Sequence, residues 1–431
     1  MNKYHFETNQ VHAGRYIESQ GSCVTPIHQT SSFIFKSTEH AANLFQLKEE
    51  GHIYSRMSNP TVDTFEKRIA SLEEGSAALA VSSGLASQFI AIQNIAQNGD
   101  NIISSPSLYG GSYAQFKSSF RKFGIEFRFA DKRDYSSYEK AINKKTKAIF
   151  IETIGNSDFY IPDFDRLVEI CNKYKIPLVV DNTFGCGGYL FKPINYGANI
   201  ITHAATKWIG GHGNSIAGVI IDGGNFNWGN GKFPAFTEPS ESYHGLKFWD
   251  AFGKDPDSKN IAFAIKARVE GLRDWGCCLS PFNAFLLLQG IETLSLRCER
   301  MFANAYELAG WLQRAPKVES VNYPGLKENE NYPNAIKYFK NKGFGSVLTF
   351  TVKGDKLSTA KFVERLQLIT HLVNVGDNKT LISHSASTTH GQLSPNALAA
   401  AGIGENMLRL SVGIENIEDI KADLDQALKT L

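Results

Sequence analysis

Lys207 is an isolated lysine in the segment THAATKWIGGHGNS (202–215), which otherwise consists mostly of small and hydroxylated residues. A lysine that forms a Schiff base must be unprotonated part of the time and close to a carbonyl group. It therefore requires a tight and partly desolvated environment. The small neighbours, with Gly210, Gly211 and Gly213, would let a flat group approach the amine. For this stretch alone, an ordinary surface lysine before a loop is the alternative.

Two further residues suit the same chemistry. Asp181 follows the apolar run PLVV and is predicted to end a buried strand, where an unpaired carboxylate is costly. A cationic ring nitrogen of a ligand would neutralise it, and a structural hydrogen bond is the alternative. Arg409 lies on the polar face of the alternating segment MLRLSVGI. Its guanidinium would either hold a carboxylate bidentately or face solvent.

Other segments are typical of phosphate and ring binding. SSGLAS (82–87) is predicted to end a strand and open a helix, which directs backbone N–H groups toward an anion. Tyr54 and Arg56 form a donor pair that suits a phosphate. Tyr109 lies in a glycine-flanked loop, SLYGG, where its ring would stack on a flat ligand, although loop tyrosines are common. GGHG follows the lysine rather than a strand, so the sequence gives little support for a nicotinamide-binding site.

Predicted elements place these residues at one edge of a sheet. Short β-rich runs alternate with helical patterns from about residue 66. They are ALAVSSG, DNIISS, IEFRFAD, KAIFIET, IPLVVDNTF, ANIITHAATK and GVIIDGG. Runs that are apolar throughout and separated by helices favour a mostly parallel sheet covered on both faces. In such sheets ligands bind beyond the carboxyl ends of the strands. Asp181, Glu152, Asn156 and Lys207 all end or follow strands, so we expect them to converge at one rim.

The chain is predicted to be α/β and divided into three segments. Residues 1–65 lack a clear period and are predicted to form an arm. Residues 66–280 form a large domain with an irregular excursion at 223–280, and residues 281–431 form a smaller C-terminal α/β domain. Asp163 is predicted to cap the helix in DFDRLVEICNKYK, and Asn416 is predicted to cap the last amphipathic helix.

Composition excludes several classes of function. Apolar residues make up 42% of the 431 residues and charged residues 20%, enough for a large core. The net charge of +2 gives no reason to expect a nucleic-acid or membrane partner. No signal peptide or membrane-spanning run is evident, so we expect a cytoplasmic protein. The six cysteines lack metal-ligand spacing, which predicts buried free thiols and no metal site.

Taken together, these segments resemble the pyridoxal-phosphate (PLP) dependent enzymes of cysteine and methionine metabolism, the trans-sulfuration family. The similar segments run from VHAG through IYSRMSNPT, SSGLAS, SLYGG, VVDNTF, ATKWIGGHG and ISHSASTTH to LRLSVGIE. The resemblance implies an aspartate-aminotransferase-like fold (fold type I). It also implies that PLP is the cofactor, that the assembly is a homotetramer, and that residues 1–65 contribute to the neighbouring subunit's site.

The resemblance also implies roles for individual residues. Lys207 would hold the cofactor covalently and move protons, and Asp181 would keep the pyridine nitrogen protonated. Tyr109 would stack on the ring, and Asn156 would hydrogen-bond the ring hydroxyl. Gly84, Leu85 and Thr206 would bind the phosphate, together with Tyr54 and Arg56 of a neighbouring subunit. Thr183 would also contact the cofactor. Arg409 and Asn374 would bind the substrate carboxylate.

PSESYHG and SPFNAFLLLQG resemble one branch of the family, which replaces the γ-acetoxy group of O-acetyl-L-homoserine by sulfur. The implied products are acetate and L-homocysteine, or methionine if the donor is a thiol, in methionine biosynthesis. Free sulfide, a small thiol and a sulfur-carrier protein remain open as donors, and so does succinyl as the leaving group. A cystathionine γ-synthase, a γ-lyase and a non-catalytic PLP-binding protein are the alternatives.

The chain departs from the family pattern at several positions. Ala204 stands where a serine usually contacts the phosphate, and Ser157 and Ser385 stand where proline is usual. These departures predict a weaker hold on the cofactor or looser loops. Gly111 stands where methionine γ-lyases carry a cysteine, which argues against that activity.

Overall fold

The computed structural model describes residues 4–17, 19–156, 158–256, 259–340, 342–384 and 404–431. Its larger sheet has seven strands in the order β1-β7-β6-β5-β4-β2-β3. Neighbours from β6 to β3 are parallel, whereas β7 is antiparallel to both β1 and β6. The prediction of a mostly parallel sheet is confirmed. The strands are Ala77–Val81 (β1), Asn101–Ser104 (β2), Glu126–Phe129 (β3), Thr146–Glu152 (β4), Leu178–Asp181 (β5), Ile200–Ala204 (β6) and Gly218–Asp222 (β7).

Both faces of this sheet are covered, and this explains why its strands are apolar throughout. In β4, Ile149 and Ile151 belong to the core on one face, while Ala148 and Phe150 belong to the core on the other. Successive side chains of a strand point to opposite faces, so a strand covered on both sides needs apolar residues at every position.

A second, smaller sheet follows along the chain, in the order β10-β11-β12-β9-β8. β10 and β11 are parallel, and the remaining pairs are antiparallel. In its central strand the leucines at 408 and 410 are fully buried in one core, and the predicted alternation is confirmed. The strands are Val318–Asn322 (β8), Val347–Val352 (β9), Thr370–His371 (β10), Leu381–His384 (β11) and Met407–Ser411 (β12).

Helices surround both sheets, and capping residues mark where several of them begin. Asp163 accepts a hydrogen bond from the N–H of Arg166, and Asn416 accepts one from Glu418. Both predicted caps are confirmed. The helices are Phe6–His12 (α1), Thr38–Phe45 (α2), Pro60–Glu73 (α3), Gly84–Gln93 (α4), Gly110–Ala114 (α5), Tyr135–Ala141 (α6), Phe164–Tyr174 (α7), Pro234–Thr237 (α8), Phe248–Phe252 (α9), Ala262–Lys266 (α10), Arg273–Trp275 (α11), Pro281–Glu292 (α12), Leu294–Arg314 (α13), Tyr332–Phe339 (α14), Lys356–Glu364 (α15) and Ile417–Leu428 (α16).

Short 3₁₀ and π-helical turns complete the described structure. Two of them extend α5 and α10, and the others lie between a strand and the next element or within the excursion. They are Gln115–Ser119, Phe120–Phe123, Thr183–Gly185, Pro193–Tyr196, Glu241–Tyr243 and Ala267–Leu272.

Two segments without a clear sequence period contain more helix than expected. α3 begins inside the predicted arm and continues past residue 65, because Asn59 caps it and Pro60 occupies its first turn. The excursion at 223–280 contains six short helical segments among its described residues, although more than half of it is still irregular. None of the helices in the described ranges is long and apolar enough to span a bilayer.

The cysteines are only partly buried. Cys171, Cys186 and Cys298 are buried free thiols, as predicted. Cys277 and Cys278 are partly exposed and Cys23 is exposed, so the expectation of burial is wrong for Cys23. Cys23 lies in the N-terminal segment before α2, where little of the chain packs around it.

Candidate active site

A cavity of about 300 Å³ opens between the carboxyl edge of the larger sheet and residues of the smaller one. That edge is where open parallel sheets bind ligands. Most of the residues predicted for the site line this cavity. They are Gly84, Leu85, Tyr109, Asn156, Asp181, Thr183, Thr206, Lys207, Asn374 and Arg409.

Lys207 lies in the turn that follows β6. The next residue, Trp208, is almost fully buried and donates its indole N–H to the hydroxyl of Ser346 at 3.0 Å, which fixes the turn against the segment that leads into β9. The lysine Nζ donates to Asn374 Oδ1 at 2.5 Å. Burial, assisted by the positive charge of Arg409, lowers the pKa of Lys207 to about 8. The amine is therefore neutral part of the time near neutral pH, as a carbonyl-capturing lysine requires.

Asp181 ends β5 and is held by two neighbours. Gln88 Nε2 donates to Asp181 Oδ2 at 2.7 Å, and Thr183 donates its backbone N–H and its hydroxyl to Oδ1 at 2.9 and 2.6 Å. The carboxyl group is 7% exposed without a basic residue among these partners. A cationic group in the cavity would neutralise it, which is the chemistry expected from the sequence.

The N-terminus of α4 forms another wall of the cavity. Ser83 caps this helix by accepting the N–H of Ala86, and the first-turn amides include those of Gly84 and Leu85. A Cβ at residue 84 would lie 2.7 Å from the Cβ of Ala204, so glycine allows the helix to approach β6 closely. First-turn amides lack acceptors within the helix and favour an anion.

Thr206 lies beside this helix but is already hydrogen-bonded. Its hydroxyl accepts the N–H of Ala217 at 3.0 Å and donates to the carbonyl of the same residue at 3.3 Å. It retains one acceptor position and can donate to a phosphate only by giving up its bond to the carbonyl. With Ala204 in place of a serine, the amides of α4 become the main donors at this wall.

Tyr109 precedes α5 and presents its ring to the cavity. The side chain is 47% exposed, and a Cβ at Gly111 would lie 2.4 Å from its ring carbon Cε1. Glycine at 111 thus gives the ring its space, and a residue with a side chain would displace it. Glycine at position 111, where methionine γ-lyases carry a cysteine, therefore directly affects the position of the Tyr109 ring, which forms the aromatic wall of the cavity.

Arg409 reaches the cavity from the smaller sheet. It is 9% exposed, and its Nη1 donates to Asn156 Oδ1 at 3.0 Å. The alternative of solvent exposure is therefore wrong. Among the described residues no acidic side chain pairs with it, so the guanidinium suits a ligand carboxylate.

Tyr54 and Arg56 lie outside the cavity lining of this chain. Arg56 Nη1 donates to the carbonyl oxygen of Arg273, and its guanidinium carbon lies 5.5 Å from the centre of the Tyr54 ring. Their expected contact with the phosphate therefore needs a second copy of the chain. Ser157 and Ser385 fall outside the described residues.

Several lining residues escaped the sequence prediction. Gln88 lies one turn after Gly84, so a helix beginning at SSGLAS could have indicated that it faces the same cavity. Glu152 was recognised only as a polar residue at a strand end. Ser83 lies in the segment SSGLAS, and Ala204 was noted only as a departure from the family pattern. No local pattern marks the remaining ones, which are Ser112, Phe184, Ile216, Val373 and Val375.

Solved structures with the same fold define the class of protein. A putative O-acetylhomoserine (thiol)-lyase from Campylobacter jejuni has a TM-score of 0.94 and 38% identity, over 99% of this chain and all of that one, and its structure contains N'-pyridoxyl-lysine-5'-monophosphate. A cystathionine γ-lyase from Lactobacillus plantarum in complex with L-serine has a TM-score of 0.82 and 28% identity, over 99% of both chains. The protein is a PLP-dependent enzyme of fold type I.

The chain belongs to the Cys/Met metabolism PLP-dependent enzyme family, whose model matches residues 7–429. It is 52% identical to O-acetyl-L-homoserine sulfhydrylase 1 of Thermus thermophilus over 98% of this chain and 99% of the relative. It is also 49% identical to the homocysteine/cysteine synthase of Saccharomyces cerevisiae over 99% and 98%. The family resemblance is confirmed.

The residues in the cavity fit PLP. Lys207 offers an amine with a lowered pKa for the aldehyde, and Asp181 offers a buried carboxylate for a protonated ring nitrogen. The start of α4 offers first-turn amides for the phosphate, and the close approach at Gly84 leaves no side chain in their way. Each of the three chemically distinct parts of the cofactor therefore has a suitable partner.

Proposed function

We propose that this enzyme replaces the γ-acetoxy group of O-acetyl-L-homoserine by sulfur and releases acetate. Sulfide would give L-homocysteine, and a small thiol such as methanethiol would give methionine. The identities of about 50% to sulfhydrylases and homocysteine synthases support this reaction. The observation that carries the proposal is a partly neutral amine at Lys207 in one cavity with Asp181 and Arg409.

Each of these groups has a separate task. Bound PLP supplies an electron sink that stabilises negative charge at the substrate Cα. Arg409 binds the substrate carboxylate bidentately and thereby fixes the orientation of the Cα–H bond. Lys207 Nζ accepts the Cα proton, because its lowered pKa lets it act as a base near neutral pH. Asp181 holds the proton on the ring nitrogen.

The carbonyl of Asn374 assists Lys207 and Arg409 at the same place. It accepts the bond from Lys207 Nζ and so orients the amine within the cavity that Arg409 also lines. The side-chain NH₂ of Asn374 is a separate donor, which can bind a substrate carboxylate while the carbonyl oxygen accepts from the lysine. Asn156 completes the arrangement by fixing the guanidinium of Arg409.

Water must be excluded for replacement to prevail over hydrolysis. Ile216 and Val373 line the cavity with apolar side chains, yet they are 66% and 52% exposed within one chain. A second subunit that covers these two side chains would exclude water from the cavity. This geometry supports the proposed homotetramer, in which residues 1–65 of one subunit bring Tyr54 and Arg56 to the site of another.

The remaining assignments belong to the same proposal. We place the large domain at 66–280 and the smaller one at 281–431, and we assign the enzyme to the cytoplasm. A sulfur-carrier protein remains a candidate donor beside free sulfide and small thiols. Gly111 disfavours the γ-lyase alternative, because the aromatic wall here is built without a side chain at that position.

A product assay tests the proposal. Purified enzyme with PLP is supplied with O-acetylhomoserine and, in separate reactions, sulfide, methanethiol or cysteine, and acetate and the sulfur product are quantified. In the reaction with sulfide, we expect homocysteine and acetate to be released in equal amounts. Cystathionine as the main product with cysteine would favour a cystathionine γ-synthase, and 2-oxobutanoate without sulfur incorporation would favour a γ-lyase.

Variants sharpen this assay. Lys207→Ala is expected to abolish both the visible absorption of the bound cofactor and turnover. The exposed Lys353 offers a control, since Lys353→Ala removes an amine of the same chemistry outside the cavity lining. Turnover that persists in Lys207→Ala, or disappears equally in both variants, contradicts the role of Lys207.

A further inference from the structure

Glu152 is a buried carboxyl group in the cavity lining that has no role in the function proposed above. It is the last residue of β4 and is 7% exposed. Its Oε1 accepts the backbone N–H of Tyr109 at 2.6 Å, and its Oε2 accepts the backbone N–H of Asn156 at 3.2 Å. One carboxyl group therefore joins two loops that reach the cavity from different strands.

The two amides belong to residues that line the cavity. Tyr109 places its ring on the cavity wall, and the side-chain oxygen of Asn156 accepts from Arg409 Nη1 at 3.0 Å. A shift of the Glu152 carboxyl group would move both loops. The positions of the Tyr109 ring and of the Arg409 guanidinium relative to each other would then no longer be fixed.

Placing a carboxyl group at this point is costly. Glu152 and Asp181 are register partners on the adjacent parallel strands β4 and β5, so two acidic side chains leave the sheet side by side. Burial, followed by the charge of Asp181, raises the pKa of Glu152 well above its usual range, against the lowering effect of the two backbone donors. If Glu152 bound only one loop, a side chain with a single acceptor oxygen would be enough. Binding two N–H groups from separate loops uses both oxygens of a carboxyl group.

We propose that Glu152 is a positioning residue, which sets the Tyr109 ring and the Asn156–Arg409 pair in one geometry for cofactor and substrate. This inference rests on the proposed function, because the roles of Tyr109, Asn156 and Arg409 belong to it. Glu152 itself donates nothing to the reacting atoms. It acts through the two loops that it joins.

Glu152→Gln tests the inference in the complete enzyme with bound PLP. The amide keeps one acceptor but turns an NH₂ donor toward the second N–H, so one of the two loops is released. We expect KM for O-acetylhomoserine to rise on the order of tenfold to a hundredfold, because misplacement of a binding group by about 1 Å has effects of that size. The visible circular dichroism of the bound cofactor should also change, since it reports the asymmetry of the ring's surroundings.

Asp222 offers a matched control. It is 2% exposed, ends β7 at the opposite edge of the sheet, and accepts the backbone N–H groups of Gly224 and Ala264 at 2.9 and 3.1 Å. Burial raises its pKa to about 7. Asp222→Asn thus replaces a comparable buried carboxyl group, which also accepts two backbone N–H groups but lies outside the cavity. It should lower Tm while leaving KM and the cofactor's dichroism unchanged.

The outcomes separate positioning from simple stabilisation. If Glu152→Gln lowers Tm as Asp222→Asn does but leaves KM and the dichroism as in the unaltered enzyme, the inference is overturned. If Glu152→Gln does not fold, Glu152→Asp decides, because it keeps both acceptors but withdraws them by about 1.5 Å, one carbon–carbon bond length. A raised KM and altered dichroism support positioning, and unchanged values overturn it.

Failure of the proposed function has a different signature. In that case the unaltered enzyme itself does not convert O-acetylhomoserine, so no KM can be compared. The dichroism of bound PLP still tests whether Glu152 positions the Tyr109 loop, since it requires no substrate.

Discussion

Lys207 differs from a surface lysine in its surroundings rather than in its chemistry. Its amine is buried, lies in the field of Arg409 and donates a hydrogen bond to the neutral amide of Asn374. Both the burial and the charge favour the neutral form, and no acidic side chain among the described residues offsets them. The consequence is an amine that can act as a base and nucleophile near neutral pH.

The pH dependence of cofactor binding follows from this pKa. With a pKa of about 8, roughly a tenth of the amine is neutral at pH 7, and the fraction falls about tenfold for each unit below that. The rate at which PLP combines with the cofactor-free enzyme should therefore rise with pH and level off above pH about 8. Stopped-flow absorbance of reconstitution measures it. A rate that keeps rising through pH 10 would mean that the lysine has its ordinary pKa.

Gly111 provides a second test on a single residue. In Gly111→Ala the new Cβ would lie 2.4 Å from Cε1 of Tyr109, so the ring must rotate away. Because Tyr109 is 47% exposed, it can do so with little effect on folding. We expect Tm to change by less than about 2 °C, as for a surface change of up to about 0.5 kcal/mol. The value of kcat/KM should fall several-fold in steady-state assays, and unchanged kinetics would remove Tyr109 from the aromatic wall.

The elements place the site by bringing strand ends and one helix start together. β4, β5 and β6 end at the same edge, and α4 begins there, so Glu152, Asp181 and the lysine turn face a common cavity. α4 approaches β6 so closely that residue 84 has no room for a side chain.

Gly84→Ala tests this close approach. The added Cβ would lie 2.7 Å from the Cβ and 2.9 Å from the Cα of Ala204, and the backbone of β6 cannot yield. The start of α4 must shift, at a cost of about 1–3 kcal/mol. We expect the dissociation constant of PLP, from absorbance titration of cofactor-free enzyme, to rise at least about tenfold, the equivalent of about 1.4 kcal/mol.

Gly310→Ala is the control for this change. Gly310 lies within α13, where the new Cβ would have only Arg314 Nη1 nearby, at 3.6 Å. The variant should bind PLP normally and gain up to about 1 kcal/mol in stability from helix propensity. Equal affinities of the two variants for PLP would contradict the phosphate-binding role of α4.

The sequence predicted elements better than it predicted their contacts. The apolar runs located all seven strands of the larger sheet, and the caps at Asp163 and Asn416 were visible as single residues. α3 was missed because SNPT, which contains its cap Asn59 and its first residue Pro60, was interpreted only as part of a phosphate-binding segment. A helix start and a binding motif can use the same residues, and local patterns do not distinguish them.

The whole molecule contributes what no local pattern can encode. Lys207 meets Asn374 across 167 positions of sequence, and Arg409 meets Asn156 across 253. Both contacts join the larger sheet to the segment that carries the smaller one. Resemblance to a family predicted that these residues belong to one site, whereas composition and periodicity indicated only a rim of polar groups.

Exposed apolar residues near the N-terminus support the proposal that the complete site needs a second subunit. Ile34 is 98% exposed and Val24 60%, and Arg56 lies outside its own chain's cavity. Burying such residues against another subunit is the expected driving force for association. The same contact would carry Arg56 to a neighbouring phosphate.

Subunit complementation tests this arrangement. Lys207→Ala and Arg56→Ala are each expected to be nearly inactive, but a mixed dimer contains one site with both residues intact. Co-expression with random pairing should restore about a quarter of the original activity, since half of the dimers are mixed and half of their sites are intact. Inactive co-expressed protein would place Arg56 at its own subunit's site, and an active Arg56→Ala variant on its own would place it outside any site.

Identification of the residue that carries the cofactor tests the central claim most directly. The enzyme with bound PLP is reduced with borohydride, digested and examined by peptide mass spectrometry. We predict a pyridoxyl phosphate adduct on Lys207, within the peptide that contains THAATKWIGG. An adduct on another lysine, or a reduced protein with no adduct despite bound cofactor, would contradict the account.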